Sequence, residues 1–210
     1  MKALLFAFLL APTLAQTEAN FTRIYKAGEK TVYSIAQTDK SMSLTANVEI
    51  TVNKLIDKGA ELKLHLSSIE AKGAGAPSAS PDVTLKTVAN NMPETFTPTM
   101  GGADFLDFFV IVAGSTVDKK AKAGDEFAWK WSGGVLGVEA KTKVVQVDKK
   151  VVAEIKAKVS LQGKPAFEMS FTSTYDPADC RLAKSEGRVN LIEAEGIGWD
   201  LKIARKPVEL

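Results

Sequence analysis

Strict alternation of apolar and polar residues is the feature of this chain that most constrains its fold. Successive side chains of an extended strand point to opposite faces of a sheet, so each alternating stretch predicts a strand with one buried and one exposed face. The stretches that follow this pattern are 46–53, 61–67, 127–131, 154–161, 167–171, 181–191 and 199–203. We therefore expect an all-β, mainly antiparallel fold.

Turn sequences separate these predicted strands, at 57–59, 162–165 and 176–179. We expect one β-rich domain over residues 21–210, built as a curved sheet or an open or half barrel with one or two short helices. A chain of this length buries roughly 70% of its unfolded surface, which is enough for a core without disulfide bonds.

Two stretches interrupt the alternation. Residues 72–82 are small, nearly uncharged and contain proline, which predicts a flexible surface loop. Residues 103–112 place Phe105, Phe108 and Val112 at helical spacing, whereas their β-propensity favours a strand. In either conformation the segment is apolar enough that we expect it to pack on the sheet or to cap an opening in it.

A short motif occurs twice. Lys26-Ala27-Gly28-Glu29 returns as Lys122-Ala123-Gly124-Asp125, 96 residues later, and an alternating strand follows each copy. A duplicated β-meander would produce this recurrence, and so would the chance reuse of an ordinary turn.

Residues 1–15 have the three parts of a secretory signal peptide. Lys2 is positive, residues 3–10 are apolar but too short to span a bilayer, and residues 13–15 offer a cleavage site. No cysteine follows Ala15 to carry a lipid anchor, and no later stretch reaches 18 apolar residues. We expect a soluble periplasmic or extracellular protein without a transmembrane span.

The charge of the chain after residue 15 is nearly balanced, with 26 basic and 25 acidic residues. This balance gives no reason to expect nucleic acid as a partner.

Histidine and cysteine are too scarce for the usual catalytic and metal sites. His65 is the only histidine and lies on the polar face of a predicted strand, and Cys180 is the only cysteine. A zinc site or a nucleophile–histidine pair needs more of these residues, so we expect no metal, no cofactor and no catalytic residue of these kinds. We interpret Cys180 as a free thiol, or alternatively as the site of an intermolecular disulfide.

Paired carboxylates leave a hydrolase as a third hypothesis. The pairs are Asp104 with Asp107, Asp176 with Asp179, and Glu193 with Glu195. Asp176 and Asp179 are residues typical of a turn. We expect Glu193 and Glu195 to lie on one solvated face of a strand.

A ligand cavity is the more suggestive possibility. The strand 181–191 alternates the small residues Ala183, Ser185 and Gly187 with charges, and the preceding strand presents large apolar residues. Either the large residues fill the space above the small ones, or a cavity for an apolar ligand remains. Its walls would include Phe167, Met169, Phe171, Trp129, Trp131 and Trp199.

Three segments resemble a class of uncharacterised exported bacterial β-rich proteins. They are residues 25–33, with a Lys-Ala-Gly-Glu turn before Tyr33, residues 122–129, and the hairpin 174–182. Members of this class usually have glycine about where Cys180 stands, and the resemblance implies no function. A weaker, fold-level likeness is to periplasmic lipoprotein carriers, in which a half-barrel with a helical lid holds acyl chains.

The leading hypothesis is an exported, non-enzymatic protein that binds an apolar small molecule or lipid in the concave face of a sheet. The alternative is an envelope or extracellular module that interacts with another protein or has a structural role. The ligand-binding residues themselves are not identified by any motif.

Overall fold

The computed structural model describes residues 18–57, 59–73, 83–86, 112 and 119–207. Within this part of the chain nearly every element is a β-strand, as the alternation predicts. The strands are β1 (Glu18–Asn20), β2 (Lys30–Thr38), β3 (Ser43–Ile56), β4 (Gly59–Lys72), β5 (Val83–Lys86), β6 (Lys120–Lys122), β7 (Glu126–Gly133), β8 (Leu136–Val147), β9 (Val151–Leu161), β10 (Lys164–Tyr175), β11 (Leu182–Leu191) and β12 (Gly198–Arg205).

Ten strands form one antiparallel sheet in the order β5-β4-β3-β2-β12-β11-β10-β9-β8-β7. Every neighbouring pair except β2 with β12 is consecutive along the chain, so the sheet consists of two meanders joined at one seam. The sheet is curved and open, with β5 and β7 at its edges, and β1 pairs separately with β6. This architecture confirms the expected all-β fold with an open, curved sheet.

One face of the sheet carries the core. Inward positions alternate along β2 to β4 and β7 to β12 and join an apolar cluster that includes Ile35, Val48, Val138, Val159 and Leu201. The opposite face carries charges that pair across strands, as Lys130 does with Glu139 at 2.6 Å.

The two copies of the repeated motif form equivalent turns. Gly28 and Gly124 both have a positive φ, at 74° and 94°, which a glycine adopts without steric cost. Gly28 N donates to Val52 O and Val52 N donates to Glu29 O, and the second turn makes the same two bonds through Val144. Each partner strand also has a register shift at the equivalent place, directly after Val52 in β3 and directly after Val144 in β8. The sequence repeat therefore marks a structural repeat of turn, strand and hairpin.

The irregular segments of the sequence lie largely outside the described residues. β4 continues to Lys72, and the rest of the predicted loop, 74–82, is not described. The predicted element 103–112 is also outside, except that Val112 is helical and buried in the core cluster. β1, at Glu18–Asn20, lies just before residue 21, where the predicted domain starts.

Phe171 fills the space that Gly187 leaves. The two residues are cross-strand partners on β10 and β11. A Cβ atom added to Gly187 would lie 2.1 Å from Ser170 O and 2.5 Å from the Phe171 ring. At this point the large residue packs over the small one and leaves no void.

We predict that Gly187→Ala lowers the free energy of unfolding by at least about 2 kcal/mol, because the added methyl group meets backbone that cannot move away. The matched control is Gly137→Ala, where the Cβ would meet only the Ser160 hydroxyl, at 2.6 Å, and that group can rotate. Urea unfolding measures both. Equal losses in the two variants would contradict the packing described here.

Candidate functional site

The sheet has two different ends. The end at which β2, β7, β9 and β11 begin is called the closed end. The end at which these strands finish is called the open end. Residues 18–29 lie across the closed end, where the Phe21 ring contacts Phe127 at 5.7 Å and Tyr175 at 6.2 Å between centroids. Phe21 is completely buried, so this segment closes the core there.

Four charged side chains form a ring behind Phe21. Arg23 pairs with Glu29 and, at 3.7 Å, with Asp179. Arg181 pairs with the same two carboxylates, at 3.1 and 3.0 Å. The side chains of Arg23, Glu29 and Asp179 are only 7–10% exposed. Two arginines hold each carboxylate, so the ring is a structural clamp and a poor source of a general base.

The clamp joins three separate parts of the chain. Arg23 comes from the N-terminal segment, Glu29 from the turn before β2, and Asp179 with Arg181 from the turn between β10 and β11. Two hydrogen bonds reinforce it: the backbone Ile24 N donates to Asp179 O at 3.0 Å, and the Tyr33 side-chain hydroxyl donates to Leu182 O at 3.1 Å.

We predict that Arg23→Ala lowers the free energy of unfolding by about 3 kcal/mol, because it leaves two buried carboxylates with one cation fewer. The control Lys30→Ala breaks the exposed pair with Glu49 and costs less than about 1 kcal/mol. Thermal and urea unfolding measure both, and a loss for Arg23→Ala as small as that of the control would refute the clamp.

Cys180 lies in the turn beside this clamp. Its side chain is buried, and its φ of 54° falls in the left-handed region that favours glycine. Burial, above all, raises the pKa of its thiol to about 12. The thiol therefore stays protonated and covered at neutral pH, which fits a free cysteine and does not favour the intermolecular disulfide.

We predict that the native protein reacts with thiol reagents at pH 8 far more slowly than the urea-unfolded protein, which exposes one reactive thiol. Cys180→Gly should change stability by less than about 1 kcal/mol, because relief of the left-handed backbone offsets the lost burial. Cys180→Val should cost clearly more, since a β-branched residue does not adopt this φ. Rapid labelling of the native thiol would contradict this account.

The open end exposes apolar side chains on three neighbouring turns. We call apolar rim the exposed residues Val135, Leu161, Ile192 and Ile197, of which Ile197 is 56% exposed. The turns contact one another: Gln162 N donates to Val135 O at 2.7 Å, and Ile192 N donates to Ala166 O at 3.0 Å. The rim residues therefore stand on three adjacent turns at this end of the sheet.

Aromatic residues line the inner side of the apolar rim. Phe167 and Trp199 are half-buried and meet edge to face, with centroids 5.9 Å apart. Trp131 is also half-buried, and its ring lies over Gly133 at the end of β7. Three of the side chains that the sequence suggested as cavity walls thus lie near the open end.

The inward face between the two ends carries few polar groups, and several of these pair with one another. Trp129 Nε1 donates to Thr142 Oγ1 at 3.2 Å, and the hydroxyls of Ser173 and Ser185 lie 2.8 Å apart. An apolar wall with sparse polar groups is typical of small-molecule sites.

The other candidate residues do not assemble into a catalytic site. His65 is exposed on the outer face of β4, opposite Glu49. Glu193 and Glu195 lie in the turn between β11 and β12, and the expectation that they share a strand face is wrong, because β11 ends at Leu191.

Of the two remaining carboxylate pairs, one lies in a turn and the other is not described. Asp176 and Asp179 accept backbone N–H bonds within their turn, from Ala178 and Arg181. Asp104 and Asp107 lie outside the described residues. Across the part of the chain that the structure describes, no three His, Cys, Asp or Glu side chains are grouped so as to hold a metal ion.

The outer face has a shallow polar groove of about 780 Å³ over β7–β10. Ion pairs line it, including Lys130 with Glu139 and Lys158 with Glu168, the latter at 3.5 Å. Charged side chains therefore border this groove on the solvent-exposed face of the sheet.

No family model, curated protein or solved structure matches the chain. Among the described residues, no helix is both long enough and apolar enough to cross a membrane. The resemblance to exported β-rich proteins stays a prediction.

Proposed function

We propose that this protein is an exported, non-enzymatic binding protein that holds an apolar small molecule or lipid against the inward face of its curved sheet. The ligand enters at the open end. The observation that supports this most is the apolar rim, which stands at one end of the core while the N-terminal segment and the charge clamp close the other.

Exposed apolar side chains are common singly, but a contiguous group marks a contact with something apolar. Four of the seven large apolar side chains that are exposed in the described part of the chain belong to the rim. The same end of the sheet also carries the half-buried aromatics Phe167, Trp199 and Trp131. A ligand that passes the rim therefore stays in apolar surroundings as it leaves water, which lowers its free energy by about 25 cal/mol for each Å² that it buries.

The closed end supports the same direction of access. Phe21 and the clamp occupy that end, so a ligand would have to displace buried charge to enter there, which is costly. Val112, the one described residue between β5 and residue 119, belongs to the core cluster.

The alternative is that the apolar rim binds another protein. A fluorescent fatty-acid analogue, added to the purified protein without its signal segment, separates the two. We expect Ile197→Asp to slow or weaken uptake at least severalfold, because it places a charge on the access route. The matched control is Leu55→Asp, whose side chain is 47% exposed at the closed end, and it should load like the wild type.

Equal uptake by both variants, or no uptake by the wild type, would overturn the proposal. Concentration-dependent self-association that survives Cys180→Ser and is lost in Ile197→Asp would instead support the interaction module.

A further inference from the structure

We infer that Gln37 binds the head group of the ligand, and that this head group is a hydrogen-bond donor such as a hydroxyl, a primary amide or a protonated carboxylic acid. The inference rests on the proposed function and narrows it to a class of uncharged amphiphiles.

Gln37 is a buried polar residue on the inward face of β2, near the open end. The inward positions of this strand are Thr31, Tyr33, Ile35 and Gln37, and all four are buried. Gln37 is only 8% exposed, and its register partners on the neighbouring strands are Leu44 and Leu201. A long polar side chain therefore projects from an apolar part of the wall.

The carbonyl oxygen of this side chain has no hydrogen-bond partner, although it is buried. Four other inward polar side chains do have one, in the pairs Trp129 with Thr142 and Ser173 with Ser185, whereas the Tyr175 hydroxyl at the closed end is also without one. A buried acceptor without a donor costs free energy that folding has to supply. A group that arrives with the ligand and donates to Gln37 Oε1 would recover that cost on binding.

The chemistry of the acceptor selects the ligand. Oε1 can only accept, so a hydroxyl or an N–H group satisfies it, whereas an ester or an ionised carboxylate does not. No basic side chain neighbours Gln37 in the register of β12, β2 and β3 to offset a negative head group. The head group that suits Gln37 Oε1 is therefore an uncharged hydrogen-bond donor.

The position of Gln37 along the strand places the head group near the mouth. Gln37 is the last inward residue of β2 before the turn at the open end, and its partner Leu201 lies one inward step beyond Trp199 on β12. Ile35 and Ile203 come next, toward the closed end. The apolar tail would lie along these residues, with the donor held just inside the apolar rim.

Two amides of the same chain length test this inference. Lauramide has N–H donors and N,N-dimethyllauramide has none, and the fluorescence of the three tryptophans reports binding of either. The wild type, stripped of bound lipid, should bind lauramide roughly 2- to 10-fold more tightly. Gln37→Leu should remove this preference while it still binds both compounds.

The control variant Thr31→Val removes an inward polar group from the other end of the same strand, and it should keep the preference. Gln37→Leu should also melt at a higher temperature than the wild type without ligand, since it removes a buried unpaired acceptor at similar volume. That measurement shows that the variant is folded.

The outcomes separate this inference from the proposed function. If the wild type binds both amides equally, or Gln37→Leu keeps the preference, the role of Gln37 is refuted and the binding function stands. If neither amide binds to the wild type, both the role of Gln37 and the proposed binding function are refuted.

Discussion

The pairing of β2 with β12 is the interaction on which the rest of the structure depends. Every other neighbouring pair in the large sheet is joined by a hairpin or a short connection, whereas these two strands lie at opposite ends of the described chain. Their register runs from Thr38 with Asp200 to Tyr33 with Arg205. Without this seam the two meanders would be separate sheets, each with its apolar face exposed. Since the seam closes a loop of about the whole chain, its entropy cost is among the largest in the fold.

The closed end stabilises the pairing of β2 with β12, whereas the open end exposes apolar residues. The charge clamp ties the segment before β2 to the turn before β11, which is the neighbour of β12, so it fixes both sides of the seam at one end of the sheet. Nothing comparable in the described residues covers the other end, where the turns present Val135 and Ile197. The same topology therefore places the charge clamp at one end of the sheet and the apolar rim at the other.

The sequence predicted what depends on local pattern and missed what depends on distant pairing. Alternation located the strands, because one buried face imposes a period of two on each strand by itself. The repeated Lys-Ala-Gly motif located two equivalent turns for a similarly local reason. The clamp was missed, because Arg23 and Glu29 stand in irregular segments whose partner lies about 150 residues away. Apolar residues within turns, as in Gly134-Val135, were the available signal for the rim. The unpaired state of Gln37 is visible only once its neighbours in space are known.

We propose that the inward face of the sheet carries an apolar ligand. Native mass spectrometry of the protein, purified without detergent from a host that exports it, tests this claim most directly. We expect a species heavier than the chain by the mass of one lipid-like molecule, which organic solvent releases and which is uncharged and bears a hydroxyl, amide or acid group. A protein that shows only its own mass, and takes up no such molecule when supplied with the extracted lipids of the host, would contradict the account.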